Sequence, residues 1–243
     1  MSFSFWDFIY SFYIKLYLIK RYDDEKFRKR YINYTKDKEL WIIFLGWGVK
    51  IDRALRLSFA PKRGKVLFYE IKRGFINKDP RKVKKMFLEL IKDCKKEIAK
   101  NKGDKIKIIS FSAANGYGFY IANNCKVDKF YSVVTGAKLG QEMWGTSIAE
   151  EIVQDAIKMG YKNSNKYDKT LGKILPYYNV KNLPNNTEIW LGLFDSIIPS
   201  KFGIQIAKKV KKYNNNVKIR ILPFGHIFTS FFFGISTKLG FIK

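Results

Sequence analysis

The chain has 243 residues, of which 47% are hydrophobic and 17% aromatic, and this composition excludes an intrinsically disordered protein. Its 47 Lys and Arg against 21 Asp and Glu give a formal net charge of +26, but the excess is spread along the chain, which disfavours a dedicated nucleic-acid site. Cys94 and Cys125 belong to no CxxC motif and have no neighbouring His, so a zinc site and a disulfide scaffold are disfavoured. Free thiols, a cytoplasmic location and no cofactor are therefore expected.

Residues 1–30 are predicted to form an aromatic amphipathic helix, because apolar and aromatic side chains recur there at helical spacing. Asp7 and Lys15 interrupt the apolar run, which is also short for a bilayer crossing, and no basic region or cleavage site of a secretory signal is evident. Three interpretations of residues 1–22 stay open: they would lie on an anionic membrane surface at the inner face, pack on the domain, or contact a second subunit.

Downstream of residue 30 the chain alternates between apolar runs typical of strands and amphipathic patterns typical of helices. Strands are predicted at residues 30–36, 39–45, 65–71, 105–111, 127–137, 188–194 and 216–224. Helices are predicted at residues 80–100, 113–124, 146–160 and 200–213, residues 161–186 are interpreted as a loop, and a last apolar segment reaches residue 243. This order predicts an α/β fold for residues 31–243, with a mostly parallel central sheet of about six to seven strands and helices on both faces.

Reactive residues in an open parallel sheet lie just beyond the carboxyl ends of its strands. Ser112, Asp195 and His226 each come at such an end, as do the two glycines of the "GWG" stretch, residues 46–48. His226 is the only histidine in the chain, and a serine nucleophile needs an imidazole to take its proton. These three side chains are therefore the candidate catalytic set.

The motifs around these residues resemble those of the α/β-hydrolase superfamily. The stretch "SFSAA", residues 110–114, is similar to its G-x-S-x-G nucleophile elbow, with Ser and Ala where glycine is usual. The stretches "LGLFDSIIP" and "ILPFGHIF" resemble its acid and histidine loops, and "IIFLGWG" resembles the loop after the first central strand. The order of nucleophile, acid and base along the chain also agrees. The resemblance covers residues 39–230.

This resemblance implies a serine hydrolase that cleaves an ester or thioester, with an esterase, lipase or lysophospholipase as the closest activity. Ser112 would attack the carbonyl carbon, His226 would take and return the proton, and Asp195 would orient the imidazole. The backbone N–H of Ala113 and one near Trp47 would hold the oxyanion.

The resemblance also places a small lid of about two helices at residues 138–186 and an apolar pocket for an acyl or lipid substrate. The candidate pocket residues are Gly46, Gly48, Phe111, Met143 and Trp144.

Other interpretations remain open for these residues. Ser112 and Asp195 could be helix caps, His226 could be a structural residue at a strand end, and Ser110 competes with Ser112 as the nucleophile. Asp128 and Asp168 are alternative acids. At the level of the whole protein, the alternatives are a non-catalytic binding protein on the same fold, or a basic protein that binds nucleic acid or an anionic membrane. Its basic runs would be residues 81–85 and 208–212.

Overall fold

A computed structural model gives the fold and describes residues 27–57, 59–71 and 73–242. The helix predicted for the N-terminal segment falls mainly on residues 1–26, which lie outside the described residues. The boundary expected at residue 30 falls inside the first strand. In the described part, seven strands form one sheet: β1 (Arg28–Asn33), β2 (Glu39–Phe44), β3 (Lys65–Glu70), β4 (Lys105–Phe111), β5 (Lys129–Val133), β6 (Thr187–Gly192) and β7 (Lys218–Leu222).

The sheet has the order β1-β3-β2-β4-β5-β6-β7, and every neighbouring pair is parallel except β1 with β3. The α/β architecture predicted from the sequence is therefore confirmed. The central strands β2, β4 and β6 are buried along nearly their whole length. Strands covered on both faces are apolar without alternation, and these three correspond to the strands predicted at residues 39–45, 105–111 and 188–194.

Strand β1 is an exposed edge, held to the domain by polar side chains. Lys29 Nζ lies 2.7 Å from an Asp93 carboxylate oxygen and 2.9 Å from Glu97 Oε1, and the Tyr31 hydroxyl donates to Glu97 Oε2 at 2.7 Å. Both acids belong to the long helix beside the edge, so these contacts hold β1 against that helix.

Eight α-helices lie in the described part: α1 (Ile51–Arg56), α2 (Pro80–Lys100), α3 (Asn115–Asn124), α4 (Leu139–Trp144), α5 (Glu150–Lys158), α6 (Ser164–Leu171), α7 (Ser200–Lys211) and α8 (His226–Lys238). Side chains of α2 to α7 contribute to the larger apolar cluster on one face of the sheet, whereas α1 and α8 cover the other face. Helices on both faces are thus confirmed. None of these helices is long and apolar enough to cross a bilayer.

The interpretation of residues 161–186 as a loop is wrong, because α6 lies within them. Its sequence, "SNKYDKTL", is too polar for a clear helical pattern. The Asn163 side chain caps the helix by accepting from Lys166 N at 3.0 Å, and Tyr167 and Leu171 are its buried contacts. The segment expected to hold two helices, residues 138–186, therefore holds three.

Candidate active site

Ser112 directly follows β4 and opens the 3-10 turn Ser112–Ala114, which leads into α3. Its φ is +54°, in the left-handed region that residues other than glycine rarely adopt. Such a strained residue between a strand and a helix projects its side chain out of the sheet, which is the geometry of a nucleophile elbow.

The buried side chain of Asn115 holds this turn in place. Its amide nitrogen donates to the carbonyl oxygens of Ser112 and Val133, both at 2.9 Å. Its carbonyl oxygen accepts from the hydroxyls of Ser110 at 2.6 Å and Ser132 at 2.7 Å. All four hydrogen-bonding positions of the amide are thereby used, and they tie the turn to β4 and β5. Ser110 is fully buried in this network, so it is not placed to act as the nucleophile.

Asp195, in the loop after β6, and His226, the first residue of α8, form a buried pair. His226 Nδ1 lies 2.8 Å from Asp195 Oδ2, and the other carboxylate oxygen accepts from Ile197 N at 3.0 Å and Ile198 N at 2.8 Å. An ionised carboxylate only accepts, so Nδ1 carries the proton and Nε2 is left as the basic nitrogen. The expectation that Asp195 could cap the following helix is wrong, because α7 begins at Ser200 without a side-chain cap.

Ser112 lies in the wall of a cleft of about 500 Å³, counted out to open solvent. Three other candidate residues from the sequence also line the cleft: Trp47, Ala113 and Met143. Most of its remaining walls are apolar: Ile76, Leu139, Ile148, Ala149, Ile197 and Ile198. The serine therefore faces a space suited to an apolar group.

No protein-family model matches the chain, and no curated protein does. Solved structures do match it. An acylaminoacyl peptidase from Pyrococcus horikoshii superposes with a TM-score of 0.64 at 13% identity, over 91% of this chain and 39% of the peptidase. An esterase from Pyrococcus furiosus gives 0.59 at 15% identity over 88% and 89% of the two chains, and MenH from S. aureus gives 0.53 at 11% over 88% and 96%.

The protein has the α/β-hydrolase fold. The chain spans only about 39% of the length of the acylaminoacyl peptidase it matches, whereas it spans most of the esterase and of MenH. At these identities the likeness concerns the fold, and it leaves the subfamily open. The α/β-hydrolase fold explains why the turn after β4 and the loops after β6 and β7 lie at the same edge of the sheet.

The turn at Ser112 has Ser110 at the position where the nucleophile elbow of the α/β-hydrolase superfamily usually has glycine. The space is provided instead by Gly118 on α3, where an added Cβ would lie 2.7 Å from Ser110 Cβ and 2.8 Å from a Phe130 ring carbon. On the other side, a Cβ on Gly46 would lie 3.2 Å from Ser112 Cβ. The turn is thus closely packed between α3 and the loop after β2.

Two predicted pocket residues lie elsewhere. Phe111 stacks on Phe59 at 5.0 Å between ring centroids, within the cluster on the face of the sheet covered by α1 and α8. Successive side chains of a strand point to opposite faces of the sheet, so Phe111 points away from the face on which Ser110 packs against α3. Trp144 is not among the residues that line the cleft and packs on Tyr167, with ring centroids 5.5 Å apart.

The glycines of the loop after β2 have different roles. Gly46 lies against the Ser112 turn, as described above. Gly48 has a φ of +75°, which only glycine adopts without strain, and the turn is closed by a bond from Val49 N to Gly46 O at 3.0 Å. Gly48 therefore shapes the loop that carries Trp47, and it is not among the residues that line the cleft.

The two alternative acids serve the backbone. Asp168 accepts from Gly140 N at 2.6 Å and Gln141 N at 3.2 Å, and so caps α4. Asp128 accepts from Ile106 N at 2.8 Å, near the start of β4 and away from the strand ends that carry the site. Neither pairs with the imidazole, whose carboxylate partner is Asp195.

Glu142 is a buried acid of the cleft that the sequence did not indicate. It lies on α4 among apolar wall residues and is only 8% exposed. Burial, with the nearby charge of Asp168, raises the pKa of its carboxyl to about 8. Burial also raises the pKa of Asp168 to about 6, against the opposing effect of the backbone N–H groups that it accepts from. A neutral acid beside Ser112 is the consequence near pH 7.

The Glu142→Gln variant is expected to gain stability over the wild type as the pH rises from about 5 to about 9. The pKa of the Glu142 carboxyl is about 8 in the folded protein and 4.5 in the unfolded chain. In the wild type, the contribution of this group to stability is therefore fully present below pH 4.5 and is lost as the pH rises through about 8. Glutamine does not ionise in this buried position beside Asp168 and Asp195, so the variant avoids this loss, which amounts to a few kcal/mol.

Thermal melts at a series of pH values measure this difference. The matched control is Glu150→Gln, because Glu150 is exposed on α5 and its neutralisation should leave the pH trend unchanged. A melting difference between Glu142→Gln and the wild type that stays constant with pH would contradict the prediction.

Proposed function

We propose that the protein is a serine hydrolase that cleaves an ester or thioester bond through an acyl-enzyme on Ser112. The observation that supports this most directly is the buried 2.8 Å contact between Asp195 and His226, at the same sheet edge as the left-handed Ser112 turn. A hydroxyl, a carboxylate and an imidazole, in this order along the chain, form the set needed for acyl transfer.

In the proposed reaction, Ser112 Oγ attacks the carbonyl carbon while His226 Nε2 takes its proton. The tetrahedral intermediate then collapses, the alcohol or thiol leaves with that proton, and the acyl group stays on Ser112. A water molecule attacks the acyl-enzyme by the same route and releases the acid. Asp195 keeps the imidazole in the required tautomer and stabilises the imidazolium.

The oxyanion of both intermediates would be held by backbone N–H groups. Ala113 follows the nucleophile within the turn and lines the cleft, so its N–H is the first donor in this proposal. The second would come from the loop that carries Trp47, which the close approach of Gly46 brings against Ser112. Such donors act on the charge that develops in the transition state.

The cleft supports an apolar acyl group as the part of the substrate next to Ser112. Its walls are mostly aliphatic, and burial of such surface is favourable by about 25 cal/mol per Å². The solved structures of the same fold include esterases and a peptidase by name. We propose the ester activity because the esterase matches most of the length of both chains.

A chain-length series of p-nitrophenyl esters, from acetate to dodecanoate, tests the proposal. We expect turnover well above the buffer rate with a preference for one chain length, and a fluorophosphonate probe should label Ser112 by peptide mass spectrometry. An N-acetylated amino-acid anilide, run beside the esters, tests for peptidase activity instead. Absence of both ester turnover and Ser112 labelling would favour a non-catalytic binding protein.

A further inference from the structure

The outer side of α8 carries a continuous row of exposed apolar side chains, here called the α8 stripe. Its members, Phe228, Phe231, Phe232, Ile235 and Leu239, are between 38% and 63% exposed. Their spacing of three and four residues places them on one side of the helix. Exposed apolar side chains are ordinary when scattered, but a contiguous row marks an interaction surface.

Helix α8 is fixed on the sheet, so the stripe cannot turn inward. Phe233 on its inner side is fully buried, and its ring lies edge-on to those of Trp190 and Phe111 at 5.3 and 5.6 Å. A Cβ on Gly234 would lie 3.0 Å from the carbonyl oxygen of Leu57, directly after α1. The helix therefore already uses one side for the core and presents the other to its surroundings.

The stripe continues into the loops that carry the candidate catalytic residues. The Phe224 ring lies 5.8 Å from that of Phe232 and 6.5 Å from that of Phe228. Phe194, next to Asp195 and 52% exposed, donates its backbone N–H to the Phe224 carbonyl at 3.1 Å. The apolar surface thus reaches the loop that carries Asp195.

The charge beside this surface is mainly positive. Near the edge strand β7, Glu188 pairs with Arg220 at 3.0 Å and with Lys129 at 3.8 Å, and Lys218 is a further positive charge close to Lys129, so three cations surround one acid. Lys238 lies in the last turn of α8, and the Arg220 guanidinium lies 5.0 Å from the Trp190 ring, which in turn contacts Phe232 at 6.4 Å. An apolar aromatic row with a cationic border is the arrangement that binds a lipid interface with anionic headgroups.

The same charge argues against two other occupants. A second copy would place two mainly cationic borders against each other, so their repulsion opposes self-association. Nucleic acid is bound mainly through its phosphates, and phosphate contacts do not require a row of phenylalanine side chains. We propose that the α8 stripe docks on the surface of a bilayer that contains anionic lipids. This proposal is independent of the proposed hydrolase activity, because binding requires no turnover.

Co-sedimentation of the full chain with vesicles tests this. We expect binding to vesicles of phosphatidylcholine mixed with phosphatidylglycerol, and much weaker binding to phosphatidylcholine alone or at high salt. The stripe variant Phe228→Ser/Phe231→Ser should lower the partition coefficient by about tenfold or more. Lys238→Glu should weaken binding to the anionic vesicles only.

The matched control is Leu88→Ser/Met159→Ser, which removes two apolar side chains of similar exposure on α2 and after α5, and it should bind like the wild type. Circular dichroism and thermal melts show whether each variant is folded. The proposal would be overturned if the wild type does not bind anionic vesicles, or if the folded stripe variant binds them as well as the wild type does. It would also be overturned if light scattering shows a dimer for the wild type and a monomer for the stripe variant. Loss of nucleic-acid binding in the stripe variant, without any vesicle binding, would overturn it as well.

Discussion

Ser112→Ala is expected to lower kcat/KM for p-nitrophenyl esters by at least about a thousandfold. Alanine removes the hydroxyl that the left-handed turn presents to the cleft, and no acyl-enzyme can then form. The fold should be retained, because alanine meets the same backbone requirement as serine and the carbonyl of residue 112 still accepts from Asn115. The remaining rate would come from substrate binding and the backbone donors.

Ser110→Ala is the matched control, since it makes the same change two residues away. It removes one buried hydrogen bond to Asn115 and should cost about 1 kcal/mol of stability while leaving most of the activity. Both variants are measured by initial rates and by fluorophosphonate labelling. Activity of Ser112→Ala within about tenfold of the wild type would reject Ser112 as the nucleophile, and loss of labelling in a folded Ser110→Ala would assign that role to Ser110.

Asp195→Asn is expected to lower kcat by about ten thousandfold. The asparagine carbonyl can still accept from Ile197 N and Ile198 N, so the loop should keep its geometry. Its amide, however, would donate to His226 Nδ1, which moves the ring proton to Nε2. The imidazole would then be in the wrong tautomer to take a proton from Ser112.

The measurement is kcat over a pH series for Asp195→Asn and for the matched control Asp128→Asn. Asp128 accepts only a backbone N–H, from Ile106, so the control makes the same change at an acid outside the candidate site. Asp128→Asn should retain wild-type turnover, apart from a small loss of stability. Near wild-type kcat in Asp195→Asn would mean that the pair between Asp195 and His226 is structural.

The central strands could be located from the sequence because both of their faces are buried. In β2 and β6 this produces uninterrupted apolar runs, and the predicted bounds agree with the structure to within two residues. Helix α1 was missed because six residues, "IDRALR", are too few to establish a period. Helix α6 was missed because most of its side chains are polar and only its cap and two buried residues hold it in place.

The candidate site was predictable only in part. Ser112, Asp195 and His226 could be proposed from their places at strand ends, and the pairing of the last two was found by the structure. Phe111 was misplaced because β4 is apolar on both faces, so the sequence gives no sign of which side each residue takes. Asn115 and Glu142 depend on tertiary contacts, since their roles come from residues brought close by folding.

The packing of Ser110 against Gly118 makes the residues at these two positions mutually dependent. In the superfamily elbow the strand position two before the nucleophile has no side chain. Here that position is Ser110, and the facing position on the helix, Gly118, has no side chain instead. A side chain at position 118 would require glycine at position 110 and a shift of the Phe130 ring, whereas glycine at 110 alone would leave a void and take one donor from Asn115. We therefore expect the residues at these two positions to vary together in related chains. A sequence search for this turn should allow Ser or Gly at position 110. Ser at 110 is expected only where position 118 is Gly.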